Sequence, residues 1–355
     1  MVVEIGFYYG LGNQMYNYAF AKALEHYYKQ EVRLDISRHN ISMLQRGVDS
    51  ITNGDNERER ERERERFAGA RIIELLHFNI SLKCMDYEDV YAFFKKYDKL
   101  NLPINLVMFG RNYFFRLIYK MLPREWRKWH YRYFIESSKE SDVESKLKSG
   151  TYYKERDYFR GYFFSIAYFN EIREVLLRDF SLKTPLDSKN LATKKHILSV
   201  KDSVFLHIRR GDYLECNDFA ILGSSYYNAA LKIIKNALPH ATIFVFSNGI
   251  NWCKENLLGY LDSNITQGLN FEFIDNNHEG CAAFDLELMK SCKHAIIANS
   301  TFSFWGAYLI ENPSKIVVMP NVYSYSNPPT TRKDLKEGQK TWHIIDIYWG
   351  NEVLY

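Results

Sequence analysis

The sequence predicts an α/β protein built from two Rossmann-like domains, and three observations support this. The chain opens on a short apolar strand, a glycine turn and an amphipathic helix. Its carboxyl half alternates buried apolar runs with helical ones, the pattern of a doubly wound sheet. At 355 residues it is long for a single core, so two domains of ordinary size are expected.

The opening strand runs through Val2, Val3, Ile5 and Phe7, and Gly10-Leu-Gly12-Asn13-Gln14 makes the turn. Tyr16, Phe20, Ala23, Leu24 and Tyr27 then fall on one face of a helix. A dinucleotide fingerprint would need a third glycine where Met15 stands, so that use of the loop is disfavoured. Two glycines allow close backbone approach, and the amides of Asn13 and Gln14 at a helix start suit a hydroxyl or a developing partial charge. A plain tight turn with Asn13 as the helix cap is the other reading of the same residues.

Further along, five Glu-Arg repeats fill Glu57 to Arg66. They bury no apolar area in either helix or strand, so an exposed segment dispensable for activity is expected. From Arg111 to Arg132 the chain turns basic and aromatic together, with Glu125 the one acid. That segment reads either as core helices with snorkelling arginines or as a contact surface, an anionic membrane face being the preferred partner. Pro185 and the polar stretch Ser188 to Lys195 read as a linker, which places the domains at 1–185 and 186–355.

The second domain is organised around Phe205-Leu-His207-Ile-Arg209-Arg210-Gly211-Asp212-Tyr213. The apolar part reads as a buried parallel strand, and the charges follow at its carboxyl end, where open α/β sheets bind ligands. Two adjacent arginines cannot both enter the core. One is expected to face an anion and the other to pair with acid, Asp212 being nearest; a purely structural Arg-Asp turn is the alternative. Two further predicted strands end in small polar residues, at Ser247-Asn248 and at Asn299-Ser300-Thr301-Phe302-Ser303. Parallel strands would deliver all three tips to one crevice. Hydroxyls and amides at Ser300, Thr301, Phe302 and Ser303, ahead of a helix starting near Phe304, make a phosphate cradle facing Arg209.

A net charge of +4 on 47 basic and 43 acidic side chains does not point to nucleic acid. Five scattered cysteines form no metal-ligand spacing, and reduced thiols are expected. Asp-x-Asp does not occur, Asp285-Leu-Glu287 being the near miss inside a helical stretch, so no metal is expected to bridge phosphates. Met1-Val-Val-Glu carries no basic leader and no apolar run approaches a membrane span. A soluble cytoplasmic protein is expected, with peripheral attachment to the inner membrane face left open.

Together, Gly10 to Met15, Gly161-Tyr-Phe163, His207 to Tyr213, Phe246-Ser-Asn248 with Trp252, and Ala298 to Gly306 resemble the bacterial α-1,2-fucosyltransferases. The matches keep the family's order, and the string from His207 to Tyr213 is the specific one. More distantly the chain is similar to α-1,6- and protein O-fucosyltransferases. The resemblance implies a GT-B fold, two Rossmann-like domains facing across a cleft, and inverting transfer of L-fucose from GDP-β-L-fucose without a metal or other cofactor. The acceptor would be a terminal β-galactoside such as lactose or a glycolipid terminus. It also implies that Arg209 holds the β-phosphate, His207 sits beside the nucleotide, and Asp285 receives the guanine N1 and N2 hydrogens. Ser300, Thr301 and Phe302 would line phosphate and fucose, with Ser247, Asn248 and Asn299 in the same donor site and Asn13 beside the reacting carbon. Two features depart from the pattern: Tyr8-Tyr9 replaces small residues ahead of Gly10, which would narrow the acceptor cleft, and the Glu-Arg repeat has no counterpart. Transfer to another linkage, and a non-enzymatic membrane- or nucleic-acid-binding module, are the competing readings.

Overall fold

A computed structural model describes residues 1–6, 9–37, 73–95, 133–135, 143–150, 156–214, 219–277, 281–322 and 342–353. The Glu57–Arg66 repeat and the basic aromatic stretch 111–132 lie outside them.

Strand β1 (Val2–Glu4) is buried throughout but ends before the alternating Val2-to-Phe7 run does. Helix α1 (Leu11–Tyr28) starts directly after Gly10, whose extended backbone makes it the N-cap. Tyr16, Phe20, Ala23 and Leu24 face inward from it, as their spacing requires. Then come β2 (Arg33–Asp35), β3 (Lys83–Met85), α2 (Tyr87–Lys95), β4 (Tyr133–Ile135), α3 (Val143–Lys148) and β5 (Tyr158–Arg160). The five strands form one parallel sheet in the order β3-β2-β1-β5-β4.

Helices α4 (Arg173–Asp179) and α5 (Ser188–Ser199) lead into the second sheet. The stretch expected as a linker is therefore helix. Asp187 starts α5 by accepting the Asn190 amide at 2.8 Å, and Asn190 and Ile197 are buried. Polar composition misled because this helix buries one narrow stripe. Alternation follows through β6 (Ser203–Ile208), α6 (Ser224–Ala237), β7 (Thr242–Ser247), α7 (Ile250–Tyr260), α8 (Ser263–Thr266) and β8 (Asn270–Phe273). The chain continues with α9 (Ala282–Lys290), β9 (His294–Ile296), α10 (Thr301–Tyr308), β10 (Val317–Pro320) and β11 (His343–Ile345). These strands are also parallel, in the order β11-β10-β9-β6-β7-β8, so the expected doubly wound sheet is present.

Strand β6 lies between β9 and β7, and all six of its residues are buried. One of its faces packs Val204, Leu206 and Ile208 with Tyr226, Leu231 and Ile234 of α6 and Ile243 and Val245 of β7. Burying each such side chain contributes roughly 1.5–3 kcal/mol. That packing fixes the strand whose end carries the two arginines.

The chain divides into two α/β units, and the division differs from the expected break after residue 185. The first unit comprises Met1–Ile73 and Ile80–Leu176, the second Glu74–Asn79 and Leu177–Tyr355. The short segment 74–79 joins the second unit because its partners are there. Phe78 bridges to Leu182, and Glu74 accepts the Ala282 amide at 2.6 Å, at the start of α9.

Candidate active site

Strand β6 delivers His207 with the side chain inside the protein and the two arginines just past the last buried residue. His207 is 3% exposed, and its Nδ1 makes no hydrogen bond among the described residues. Burial, with the neighbouring Arg209 charge adding to it, pushes its pKa down to about 3. It is a neutral imidazole at any physiological pH. Its ring meets that of Phe302 edge-on at 5.7 Å, which joins the tip of β6 to the start of α10.

The loop after β6 is held from three sides. The Arg210 amide donates to Asn248 Oδ1 at 2.9 Å, tying β6 to the end of β7. Gly211 sits at φ +31°, and a Cβ there would lie 2.2 Å from Asn248 Nδ2, so a side chain is excluded on both counts. Tyr213 stacks on Phe219 at 4.3 Å and donates its hydroxyl to the Asn299 carbonyl at 3.1 Å, tying the same loop to the end of β9. The Arg209 guanidinium lies 5.3 Å from the Tyr213 ring centre. The Arg210 guanidinium, expected to brace the loop through Asp212, stacks on the indole of Trp252 at 3.6 Å. The side chain of Asp212 is outside the described residues.

Helix α10 begins at Thr301, earlier than the expected Phe304, with Ser300 in the N-cap position. Ser300 is 6% exposed and does not use its hydroxyl to cap the helix. The first amides of an α-helix lack acceptors within it, and the dipole places partial positive charge there. Ser303 does not share in this, because its Oγ accepts the Ala298 amide at 3.0 Å inside the core.

Asp285 lies in the first turns of α9, half-buried. Asn277, just beyond β8, donates to its Oδ1 at 2.7 Å. Asn277 exchanges two further hydrogen bonds with the wholly buried Asn190, at 2.8 and 3.0 Å. Burial raises the Asp285 pKa to about 6 against the lowering effect of Asn277. Its second oxygen has no partner among the described residues.

The structure thus brings His207, Arg209, Ser300, Thr301 and Phe302 to one edge of the second sheet. The other expected donor-site residues are engaged in holding that edge together. Ser247 Oγ accepts the Gly249 amide at 2.9 Å, Asn248 accepts from Arg210, and the buried Asn299 donates Nδ2 to the Ala220 carbonyl at 2.7 Å. Asn13 belongs to the first unit, and its amide, like that of Gln14, is spent on the Gly10 carbonyl at 3.0 and 3.1 Å. Neither the expected Asn13 cap nor its expected free amides are present. Sequence reasoning missed the Asn190–Asn277 pair and gave Tyr213 and Trp252 no role. The Asn-Asn dipeptide ending a strand was the available signal for the pair. Among the described residues no group of three or more His, Cys, Asp or Glu side chains is arranged to hold a metal ion. Nor is any helix there long and apolar enough to cross a membrane.

Curated relatives share sequence with this chain over parts of its length. The α-1,2-colitosyltransferase of Escherichia coli is 32% identical over 186 residues, covering 51% of this chain and 60% of the relative. Galactoside α-(1,2)-fucosyltransferase 1 of Rattus norvegicus is 32% identical over 155 residues, covering 41% and 39%. In each case the chain spans less than two thirds of the relative's length. The solved α-1,6-fucosyltransferase NodZ, from Bradyrhizobium, aligns at 11% identity with a TM-score of 0.44, covering 88% of this chain and 96% of that one. The family model for glycosyl transferase family 11 matches residues 116–345, well over half of the sequence and the whole of the edge just described. The chain belongs to glycosyl transferase family 11.

Proposed function

We propose that the chain transfers L-fucose from GDP-β-L-fucose to the 2-hydroxyl of a terminal β-galactoside, inverting the anomeric centre to give an α-1,2 linkage. The observation that carries this is the junction of Arg209 and the α10 amino terminus, made through the His207–Phe302 ring contact and the Tyr213–Asn299 hydrogen bond. A guanidinium and the positive end of a helix on one sheet edge suit a diphosphate.

In this reading the acceptor oxygen attacks the anomeric carbon from the face opposite GDP. Charge then builds on the departing β-phosphate oxygen, and Arg209 with the first turn of α10 receives it without reorganising. Arg209 here takes the part that a divalent ion plays elsewhere, so transfer proceeds with no metal and no other cofactor. His207 has too low a pKa to accept the acceptor's proton and serves as a neutral wall beside the nucleotide. The second oxygen of Asp285, with its mate fixed by Asn277, suits the adjacent N1 and N2 hydrogens that guanine presents. The first unit, which holds Asn13, is assigned the acceptor.

Incubation with GDP-fucose and lactose, with and without EDTA, tests the reading through product mass and NMR assignment of the linkage. A fucosylated product carrying an α-1,2 bond, formed equally with chelator, is expected. Donor left intact, or a different linkage, would overturn it. Colitose is the alternative transferred sugar, favoured by the name of the E. coli relative, and the same assay with nucleotide-linked colitose decides between them. Peripheral contact of the segment 111–132 with anionic lipid at the inner membrane face is tested separately by liposome flotation.

A further inference from the structure

The first unit carries an aromatic construction that the proposed chemistry has not used. Phe163 is wholly buried and stacks on Phe20 of α1 at 3.8 Å, yet its backbone sits at φ +53°, a left-handed conformation that bulky residues avoid. Strain of this sort persists only where the surroundings impose it, and it concentrates at ligand sites. The kink keeps the Phe163 ring inward while the two flanking rings, Tyr162 and Phe164, lie 4.9 Å apart outside it. Tyr162 stacks in turn on Tyr9 at 4.8 Å, with ring planes 29° apart, and Phe164 meets Tyr16 of α1 at 5.1 Å.

This row of rings is fixed from below. The Tyr9 ring lies on bare backbone at Gly6, where a Cβ would come within 2.5 Å of it. The Gly161 carbonyl accepts from Tyr9 Oη at 3.3 Å and from Asn17 Nδ2 at 2.8 Å, and the Tyr9 carbonyl accepts from Gln14 Nε2 at 2.8 Å. A rigid row ending in a ring that is 50% exposed is costly as mere packing, because the outermost aromatic gains little from burial.

The geometry points to Tyr162, backed by Tyr9, as the platform on which the acceptor's galactose ring stacks. The inference rests on the reading of this chain as a galactoside-directed transferase and assigns the acceptor subsite within it. In β-galactose the axial 4-hydroxyl leaves the C3, C4, C5 and C6 hydrogens as one continuous apolar face. A flat electron-rich ring matches that face, and glucose, with an equatorial 4-hydroxyl, lacks it. The bulky Tyr9 ahead of Gly10 then has a use, since it sets the height and tilt of Tyr162.

Steady-state kinetics with lactose and saturating GDP-fucose test this on the intact protein. Tyr162→Ala is expected to raise the lactose KM about tenfold, the equivalent of one well-made aromatic contact, while the GDP-fucose KM holds. Tyr162→Phe keeps the ring and restores the wild-type KM, whereas Tyr162→Leu keeps apolar bulk but not flatness and follows the alanine variant. Saturation-transfer NMR with methyl β-galactoside should place the strongest contacts on H4, H5 and H6, and methyl β-glucoside should give weaker ones. An unchanged lactose KM in Tyr162→Ala, or a Leu variant equal to wild type, overturns the platform while leaving the transferase reading intact. If the wild type does not transfer to galactosides at all, the transferase reading falls. The NMR contacts then decide the platform separately.

Discussion

At the scale of single residues, Arg209 is the group on which the proposed chemistry turns. Arg209→Lys should keep the fold and lose roughly 10²- to 10³-fold in turnover, because an ammonium cannot offer the planar two-pronged contact. A kcat near wild type, with circular dichroism unchanged, would remove it from the mechanism. The place of Arg209, just past the buried strand β6, was legible in the sequence because a charge directly after a buried run has few places to go. The stacking of Arg210 on Trp252 was not, since that partner arrives from helix α7 and Asp212 is so much nearer in the chain. Two groups, His207 and Asp285, also set opposed pH dependences. His207 is depressed from 6.5 to about 3, so the unfolded chain takes up a proton that the folded one refuses, and stability is lost as pH falls through that interval. Asp285 is raised from 3.8 to about 6, so its contribution is present at low pH and is lost as pH rises through 6. Donor binding separates them, because the carboxylate must be ionised to accept two guanine hydrogens. Calorimetry should show GDP affinity falling by about tenfold per pH unit below 6, a dependence that Asp285→Asn abolishes. A wild-type Kd constant from pH 5 to 8 would take Asp285 out of base recognition.

Among the elements, the strand tips owe their convergence to backbone demands as much as to polar residues. Gly211→Ala puts a Cβ against the Asn248 side chain at a positive φ, so the side chain that accepts the Arg210 amide must shift. A cost of about 1–3 kcal/mol is expected, together with weakened GDP binding. Urea unfolding and calorimetry on the one variant measure both, and an undisturbed Kd would show that the loop does not position Arg209. The central strands of the second sheet were legible because β6 and β7 are six residues long and mostly apolar. Strands β2, β3 and β11 were not, because three residues carry too little alternation to distinguish a strand from a loop. Helix α10 was read as starting late because Ser300, Thr301 and Ser303 look like loop residues. The structure instead places them at the N-cap position, in the first turn and as an inward hydroxyl that holds the β9 tip.

For the molecule as a whole, the division into two α/β units was readable, but the exchange at their border was not. Nothing in residues 74–79 announces that they belong with a sheet formed from the far half of the chain. The physical reason lies in a relay of buried rings. Phe78 meets Phe180 at 5.9 Å, and Phe180 meets Trp305 of α10 at 5.2 Å, so the segment packs against the helix whose amino terminus is proposed to hold phosphate. Glu74, capping α9 at Ala282, does the same for the helix that carries Asp285. Phe78→Ala should therefore cost about 3–5 kcal/mol, the usual price of emptying a buried aromatic site. Hydrogen exchange should quicken in α9 and α10 while α1 keeps its protection, because the described partners of Phe78, Phe180 and Leu182, belong to the second unit. GDP at about a hundred times its Kd should return roughly 2.7 kcal/mol of that loss by binding only the folded form. Exchange that quickens equally in α1, or GDP that fails to raise the melting temperature of the variant, would show that segment 74–79 does not support the donor edge.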